Sequence, residues 1–271
     1  MGDDMSIKSI NKLSWLLGFP RPYLSDLSNR RSLTYRTYKK LKRSSLPSNP
    51  KYRLIDNPSE EIKRVQRKIN NIILKPEIEK LPRYMHGAIP GRSSRTNAIP
   101  HLCKEAVFSI DLENFFPSVK PDRVYKMFRE KFECSPEVAK ILTRLTTRSH
   151  KLPQGSPTSP SICNLVLESL CDELYAICEE HECVFSQYVD DMFISGRREN
   201  IICAWKEARR AIETAGYRIN FRKCKLSMNS DSQNAAGVNL NKKNPSVLKA
   251  KRRKIEREIM RLSQYDEYDC F

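Results

Sequence analysis

Apolar residues recur at helical spacing in several stretches of the chain, and these stretches predict most of its helices. Between residues 58 and 74, Ile62, Val65 and Ile69 recur at intervals of three and four, which places them on one face of a helix. Asn57 is expected to cap this helix. By the same spacing, further helices are predicted at 5–18, about 121–132, about 135–147, 159–180 and 199–214.

Shorter apolar runs bounded by turn residues predict the strands. Strands are predicted at 105–110, 183–189, 192–195, near 217–228 and at 235–240. A tight turn separates the second of these strands from the third, so the two are expected to form a hairpin. The predicted order of elements, β-α-α-β-β-α-β, is typical of an α+β domain with a mainly antiparallel sheet.

The charge of the chain indicates a polyanionic partner. Its 271 residues include 49 lysines and arginines against 32 acidic residues, a formal net charge of +17. A domain this basic commonly binds nucleic acid. Residues 27–55 contain nine Lys or Arg and no acid, which favours contact with phosphates. A merely solvated basic surface is the alternative interpretation.

Composition also narrows the setting of the protein. The nine cysteines are an odd number without a CxxC pair, so we expect neither a disulfide framework nor a structural zinc site. No run of 18 apolar residues occurs, and the N-terminus lacks a secretory signal. We therefore expect a cytoplasmic protein with no membrane partner. The 39% apolar content suits a folded core and argues against global disorder.

Acidic residues stand at the ends of predicted strands. Asp190 and Asp191 close a Tyr-Val-Asp-Asp run at 188–191, between two apolar segments. Like charges at a hairpin tip repel, and a divalent cation would remove that repulsion. Asp111 ends another apolar strand and is followed by two phenylalanines. If the fold unites the three carboxylates, they can hold two Mg²⁺ ions, as phosphoryl transfer requires. An ordinary Asp-Asp turn is the alternative.

A rigid loop is predicted at 152–160, where the sequence reads Leu-Pro-Gln-Gly-Ser-Pro-Thr-Ser-Pro. Its three prolines and one glycine exclude a regular helix until the following helix begins. Gly155 would let the backbone approach a ligand, and Gln154 could hydrogen-bond a nucleotide. A plain turn before a helix is the alternative.

Taken together, these features resemble the reverse transcriptases. Asp followed by Phe-Phe, Leu-Pro-Gln-Gly-x-Pro-x-Ser-Pro and Tyr-x-Asp-Asp occur in that family's order and spacing, and the likeness covers about residues 30–245. The resemblance implies an α+β right-hand polymerase with fingers, an antiparallel palm sheet with helices, and a very short or minimal helical thumb. It also implies RNA-directed DNA polymerisation with two Mg²⁺ ions, for which Mn²⁺ is a possible substitute.

The same resemblance assigns roles to single residues. The catalytic and metal-binding acids would be Asp111, Asp190 and Asp191. The residues that contact the nucleotide would be Arg53, Phe116, Gln154 and Lys223. Phe116 matches the family's steric gate, which excludes a ribose 2′-hydroxyl. For Arg53 and Lys223, solvated surface charge is the alternative interpretation.

The run Asn-Ala-Ile-Pro-His at 97–101 matches the NAxxH motif of bacterial retron reverse transcriptases, and so implies antiphage defence. The implied partners are a structured non-coding RNA that serves as template and primer, the RNA–DNA product, dNTPs, and an effector protein or second subunit. RNA contacts would come from Arg36, Lys39, Lys40, Asn97, His101, Lys251, Arg252 and Arg253. A histidine satisfied inside the core is the alternative interpretation of His101.

Some positions depart from the retron pattern. Ala-Ala-Gly at 235–237 stands where retron enzymes carry Val-Thr-Gly, and residues 86–93 depart from their usual Gly-Phe pattern. Two alternatives therefore stay open. One is a non-retron defence-associated reverse transcriptase that is template-free or protein-primed. The other is a catalytically silent RNA-binding scaffold.

The expected domains follow from the resemblance. They are an N-terminal helical extension at 1–45, fingers at 46–104, a palm with interleaved fingers helices at 105–243, and a short basic thumb-like helix with an acidic tail at 244–271. Because 26 residues follow Pro245, we expect either a minimal thumb or one completed by a partner or second copy.

Overall fold

Two short helices and a two-stranded antiparallel sheet open the fold. The computed structural model describes residues 6–30, 35–41, 50, 52–242 and 244–247. The first elements are α1 (Ile10–Leu17), α2 (Arg21–Asn29), β1 (Tyr35–Leu41) and β2 (Tyr52–Pro58). The helix α1 begins later than predicted, because Ser9 caps it by accepting a hydrogen bond from the backbone of Lys12. The strand β1 pairs with β2 along its whole length, so residues 35–41 are not helical and the expected boundary after residue 45 divides one sheet.

A long helical segment follows β2, and a π-helical stretch interrupts it. The segment consists of α3 (Glu60–Lys68), a π-helix (Ile69–Leu74) and α4 (Lys75–Lys80). The predicted cap at Asn57 is wrong, because Asn57 pairs with Arg36 in the sheet. The helix starts only after Ser59, where Glu60 and Glu61 favour its first turn through the helix dipole.

The remaining helices surround a central sheet. They are α5 (Ser94–Ala98) with a 3₁₀ turn (Ile99–His101), α6 (Phe115–Ser118), α7 (Pro121–Lys131), α8 (Pro136–Thr146), α9 (Ser159–Glu180) and α10 (Arg198–Thr214). The four longest agree with the predicted helices to within one residue at each end. No helix among the described residues combines the length and the apolar character that crossing a membrane demands.

The central sheet has four antiparallel strands. They are β3 (Ala106–Asp111), β4 (Val184–Tyr188), β5 (Asp191–Gly196) and β6 (Lys225–Met228), in the spatial order β4-β5-β3-β6. This arrangement confirms the antiparallel α+β fold expected from the sequence. The strand predicted near 217–228 is shorter than expected, because the residues before Lys225 lie in a bridge between Ile219 and Leu112 and in a turn.

A small second sheet consists of β7 (Asn234–Ala235), β8 (Val238–Asn239) and β9 (Ser246–Val247). The single strand predicted at 235–240 is therefore wrong. Ala236 and Gly237 form a two-residue turn with φ angles of +47° and +80°, as a tight hairpin requires. Alanine gives no turn signal in a sequence, so the reversal could not be read from the apolar run.

Both faces of the central sheet are covered. Ile110 and Ile194 belong to the main core, which also contains the buried side of α9 and α10. Each fully buried aliphatic side chain of this core stabilises the fold by roughly 1.5–3 kcal/mol. On the other face, Val107 and Phe193 pack with Ala98 of α5 and with the small sheet. Polar side chains that serve a ligand are therefore expected at the ends of the strands.

Candidate active site

Two carboxylates face each other where the central sheet ends. In the antiparallel register Asp111, the last residue of β3, pairs with Asp191, the first residue of β5. Directly opposed side chains lie on one face of a sheet with Cβ atoms about 5 Å apart. Asp190 precedes Asp191 in the turn that joins β4 to β5, and we call residues 188–191 the acidic turn. The structure thus brings together the three acids singled out in the sequence.

The backbone of the acidic turn is strained and braced. Val189 has a φ angle of +59°, where a β-branched residue costs about 1–3 kcal/mol. Gly87 packs directly against it: a Cβ atom on this glycine would lie 2.9 Å from the Cα atom of Val189 and closer still to its backbone nitrogen. The backbone N–H of His86 donates to the carbonyl of Gln187 at 2.8 Å. The segment around Gly87 therefore fixes the direction in which Asp190 leaves the turn.

Burial and mutual repulsion disfavour the ionised form of these acids. Burial first, and then the charges of Asp190 and Asp111, raise the pKa of Asp191 to about 7. Burial also raises the pKa of Asp190. The positive charge of Lys223 lowers the pKa of Asp190 and Asp191. Its ammonium also donates to both carboxylate oxygens of Asp111 at 2.9 and 2.7 Å. Any nearby positive charge therefore stabilises the ionised form of these acids.

The donor set fits a hard divalent cation. Carboxylate oxygens are the ligands that Mg²⁺ prefers, and acids whose pKa is raised by their neighbours gain most from a cation. Within the described ranges, no three acidic, histidine or cysteine side chains already converge as a ligand set. The positive charge beside Asp111 comes instead from Lys223. A metal ion would have to share Asp111 with this ammonium or displace it, while Asp190 and Asp191 offer further oxygens.

A cleft of about 390 Å³ opens beside the acids, within the roughly 300–1,000 Å³ usual for ligand pockets. Its walls come from β2, from α6 and the residues before it, from the loop before α9, and from the turn before β6. The residues with predicted nucleotide contacts line it together with one of the three predicted metal-binding acids: Arg53, Phe116, Gln154, Lys223 and Asp190. These residues lie far apart in the chain, so only the fold unites them.

Phe116 is positioned by its neighbour in the sequence. Phe115 is buried in the core, and its ring centroid lies 5.9 Å from that of Phe116 at an interplanar angle of 65°. Asn114 adopts a left-handed conformation with a φ angle of +48°, which ends the extended chain after β3 and starts α6. Phe116 is therefore supported from behind while its own ring lines the cleft.

Two residues that the sequence analysis missed hold opposite walls of the cleft together. Asp56 on β2 is 4% exposed and accepts a hydrogen bond from Nη1 of Arg148 at 2.7 Å. The backbone N–H of Asp56 donates to the carbonyl of Gln154, also at 2.7 Å. Gly155 permits this approach, because a Cβ atom there would lie 3.0 Å from the carbonyl oxygen of Asp56. In the sequence, Asp56 is marked only as the first acidic residue after the acid-free stretch 27–55.

Asn97 and His101 are fully buried, so the RNA contact expected of them does not fit the structure. Their side chains hydrogen-bond to serines on β4 and β5 instead. The alternative interpretation of His101, a satisfied core histidine, agrees with this burial. The pattern of five residues was visible in the sequence, but its serine partners lie far away in the chain.

Three further residues with expected RNA contacts are described by the structure, and they are not among those that line the cleft. They are Arg36, Lys39 and Lys40, which are exposed on β1. Lys251, Arg252 and Arg253 lie outside the described residues, as does most of the thumb-like segment expected at 244–271.

The antiparallel sheet, the acidic turn and the cleft agree with the arrangement that the sequence motifs predict. The family described as "Reverse transcriptase (RNA-dependent DNA polymerase)" matches residues 40–248, which is most of the chain. The protein therefore belongs to the reverse transcriptase family, as the resemblance of its motifs implied.

Curated relatives include reverse transcriptases of bacterial retrons. The chain is 33% identical over 195 residues to the retron Se72 reverse transcriptase of Salmonella heidelberg (strain 579083-10), which covers 71% of this chain and 49% of that protein. It is 30% identical over 213 residues to the retron Mx65 reverse transcriptase of Myxococcus xanthus, covering 70% and 48%. The chain spans about half the length of these two relatives.

A solved structure supports the fold independently. Telomerase from Candida albicans, in complex with a TWJ fragment of telomeric RNA, superimposes with a TM-score of 0.54 at 13% identity. The match covers 84% of this chain and 51% of the telomerase chain. At this level of identity the likeness concerns the fold alone, and it agrees with a right-hand polymerase.

Proposed function

We propose that the protein is an RNA-directed DNA polymerase that extends a primer hydroxyl with dNTPs on an RNA template. The observation that carries this proposal is the pairing of Asp111 with Asp191 beside a cleft lined by Arg53, Phe116 and Gln154. Membership in the reverse transcriptase family supports the same activity. In this proposal the fingers comprise residues 46–104 together with β1, and the palm comprises residues 105–243.

The cleft residues divide the work of binding a nucleotide. Arg53 and Lys223 are the cationic side chains that the triphosphate meets, since charged donors bind phosphate oxygens most strongly. Gln154 offers an amide that donates to the nucleotide and accepts from it. The ring of Phe116 occupies the space that a ribose 2′-hydroxyl needs, so a deoxyribose is preferred. Asp56 and Arg148 keep Arg53 and Gln154 at a fixed separation.

The acids complete the site. Asp111, Asp190 and Asp191 would hold two Mg²⁺ ions, or Mn²⁺ in their place, and bound ions lower the pKa of the attacking hydroxyl and neutralise phosphate charge. Lys223 lies 2.7 Å from Asp111, so its ammonium can pair either with this carboxylate or with the phosphates of a nucleotide. All three acids are partly buried, which strengthens the attraction between their carboxylates and a bound cation.

A primer-extension assay tests the activity. The purified protein should extend a DNA primer on an RNA template with dNTPs and Mg²⁺, and the double variant Asp190→Asn/Asp191→Asn should lose at least about 10³-fold, because charge stabilisation at the reacting phosphate is removed. Asp122→Asn, which changes an exposed acid on α7, is the matched control. Unchanged incorporation by the double variant would contradict the proposal.

We further propose a retron-type reaction, in which the enzyme makes single-stranded DNA joined to a structured RNA and acts in antiphage defence. The support is the likeness to the retron enzymes of two bacterial species and the NAxxH pattern at 97–101. The RNA serves as template and primer, and an effector protein or second subunit completes the system. The exposed basic strand β1 is a candidate surface for this RNA.

The nucleic acid that copurifies with the protein separates the alternatives. Expression with the gene's own flanking DNA should yield DNA whose band shifts on a denaturing gel after treatment with debranching enzyme. DNA that enters the gel only after protease would favour a protein-primed defence enzyme over the retron-type reaction. RNA without any DNA would favour a binding scaffold that does not polymerise.

A further inference from the structure

We infer that Asn97, His101, Ser186 and Ser195 form a buried clamp that sets the position of the acidic turn; the inference rests on the proposed polymerase activity. Nδ1 of His101 lies 2.6 Å from Oγ of Ser195, and its Nε2 lies 2.7 Å from Oγ of Ser186. Nδ2 of Asn97 donates to the same Ser186 oxygen at 2.8 Å. All four residues are 0% exposed, so no solvent competes for these bonds.

The clamp joins the two strands that carry the turn. Ser186 belongs to β4 and Ser195 to β5, and a single imidazole ring bonds both. The ring is rigid and its two nitrogens point in fixed directions, so it resists a shift of β4 along β5. Any such shift would move the connecting turn, and with it Asp190.

The clamp stands on the same face of the sheet as the catalytic acids. Side chains alternate along a strand, so residues 191, 193 and 195 of β5 share one face, and residue 111 of β3 lies opposite residue 191 on that face. Phe193 lies between Ser195 and Asp191 on β5, its ring centroid lies 6.2 Å from that of His101, and Ser186 is its partner on β4. His101 is 0% exposed and bonds only to groups inside the fold, so its ring is not available to a substrate. His101 is therefore a positioning residue.

The donors and acceptors of the clamp favour one tautomer of His101. Burial first, and then the charges of His86 and Lys104, lower the pKa of His101 to about 3, so its ring is neutral. With the proton on Nδ1, Asn97 donates to Ser186, the Ser186 hydroxyl donates to Nε2, and Nδ1–H donates to Ser195. With this tautomer, the buried hydroxyl of Ser186 accepts from Asn97 and donates to His101. With the proton on Nε2 instead, Asn97 and His101 would both donate to the Ser186 oxygen, and neither would accept the hydroxyl proton.

A second set of contacts holds the turn from the opposite face. Gln187 points away from the clamp and donates to the carbonyl of Val189 and, at 3.2 Å, to Oδ1 of Asn164. Asn164 in turn donates to the carbonyl of Gly87, the residue packed against Val189. The acidic turn is thus held from both faces of the sheet. The clamp is the part that fixes the position of β4 relative to β5.

Two variants and one matched control test the inference on the full chain. His101→Phe keeps a ring of similar size and removes both bonds, while Ser195→Ala removes one bond and adds no bulk. His181→Phe is the control, because His181 pairs with the exposed Glu207 at the far end of β4. The measurements are the melting temperature, Mn²⁺ affinity by electron paramagnetic resonance without nucleic acid, and kcat and KM for dTTP on poly(rA) primed with oligo(dT).

We expect both variants to fold and to lose about 10- to 100-fold in Mn²⁺ affinity and kcat, as removal of groups that orient metal ligands does. The KM for dTTP should stay close to the wild-type value, because no cleft residue changes, and the control should behave as wild type. A merely structural role would lower the melting temperature without this split between kcat and KM.

Folded variants with wild-type Mn²⁺ affinity and kcat would overturn the inference, as would failure of both variants to fold, since the bonds would then serve general stability. If the wild-type chain binds Mn²⁺ more tightly than both variants but incorporates no dTMP, the polymerase proposal fails and the positioning role stands. If the wild-type chain incorporates dTMP and both variants match its Mn²⁺ affinity and kcat, the positioning role fails and the polymerase proposal stands.

Discussion

At the scale of single residues, the proposed function assigns the choice between deoxyribose and ribose to Phe116. Its ring lines the cleft, and the buried Phe115 supports it from behind. Because the discrimination is steric, it depends on the volume of the ring rather than on its polarity. The residue therefore offers a test in which selectivity changes while the acids and the phosphate contacts remain.

Phe116→Ala should raise the efficiency of ribonucleotide incorporation relative to the matching deoxynucleotide by about 10- to 200-fold, the range expected for the loss or gain of a few atoms in a binding pocket. Competing UTP and dTTP on an RNA template measures this ratio. Phe116→Tyr, which keeps the ring, should retain the wild-type preference. An equal preference in Phe116→Ala and wild type would remove Phe116 from the role of gate.

At the scale of elements, the cleft depends on a link between β2 and the loop before α9. Asp56 supplies the link through its side chain and its backbone, and Arg148 and Lys151 neutralise it at 2.7 and 3.7 Å. The strand carries Arg53 and the loop carries Gln154. If the link loosens, these two proposed nucleotide contacts move apart, although neither residue has changed.

Arg148→Met should therefore raise the KM for dNTPs more than it lowers kcat. It should also destabilise the fold by less than the roughly 3–5 kcal/mol typical of a broken buried ion pair, because Lys151 remains near Asp56. Steady-state kinetics and urea unfolding measure the two effects. Arg144→Met, near the end of α8 and bonded to Asn29 at an exposed site, is the control. An unchanged KM would show that Asp56 does not hold the cleft.

The sequence predicted the features that are local in the chain. Three motifs could be recognised because each lies within ten consecutive residues: Asp111 after an apolar strand, the run at 188–191, and the loop around Gln154. The ion pair of Asp56 with Arg148 could not be predicted, because its partners meet only in the folded chain. Asn57 was mistaken for a helix cap for the same reason: its competing partner, β1, lies in another part of the sequence.

At the scale of the whole molecule, buried neutral histidines link folding to pH. Burial is the main cause that lowers the pKa of His101 to about 3 and that of His86 to about 4. An unfolded histidine takes up a proton near pH 6.5, whereas these two remain neutral in the fold. Their contribution to stability is therefore fully present above pH 6.5 and is lost progressively as the pH falls towards their folded pKa values.

Wild-type stability should therefore fall with pH more steeply than that of His101→Gln. Each buried histidine contributes a slope of at most about 1.4 kcal/mol per pH unit below pH 6.5. The difference in unfolding free energy between the two proteins should shrink accordingly between pH 6.5 and 4.5, as measured by urea unfolding at several pH values. His181→Gln should keep the wild-type slope. Parallel curves for wild type and His101→Gln would rule out this linkage.

The contact between Gly87 and Val189 also predicts which mutations the gene can accept. Every replacement of Gly87 adds a Cβ atom to a space already filled by the backbone of Val189, and that backbone cannot retreat without carrying Asp190 with it. Position 87 is therefore expected to resist random mutagenesis as strongly as the carboxylates themselves. Among the survivors of a selection for DNA synthesis, a residue with no side chain would be as invariant as those that do the chemistry.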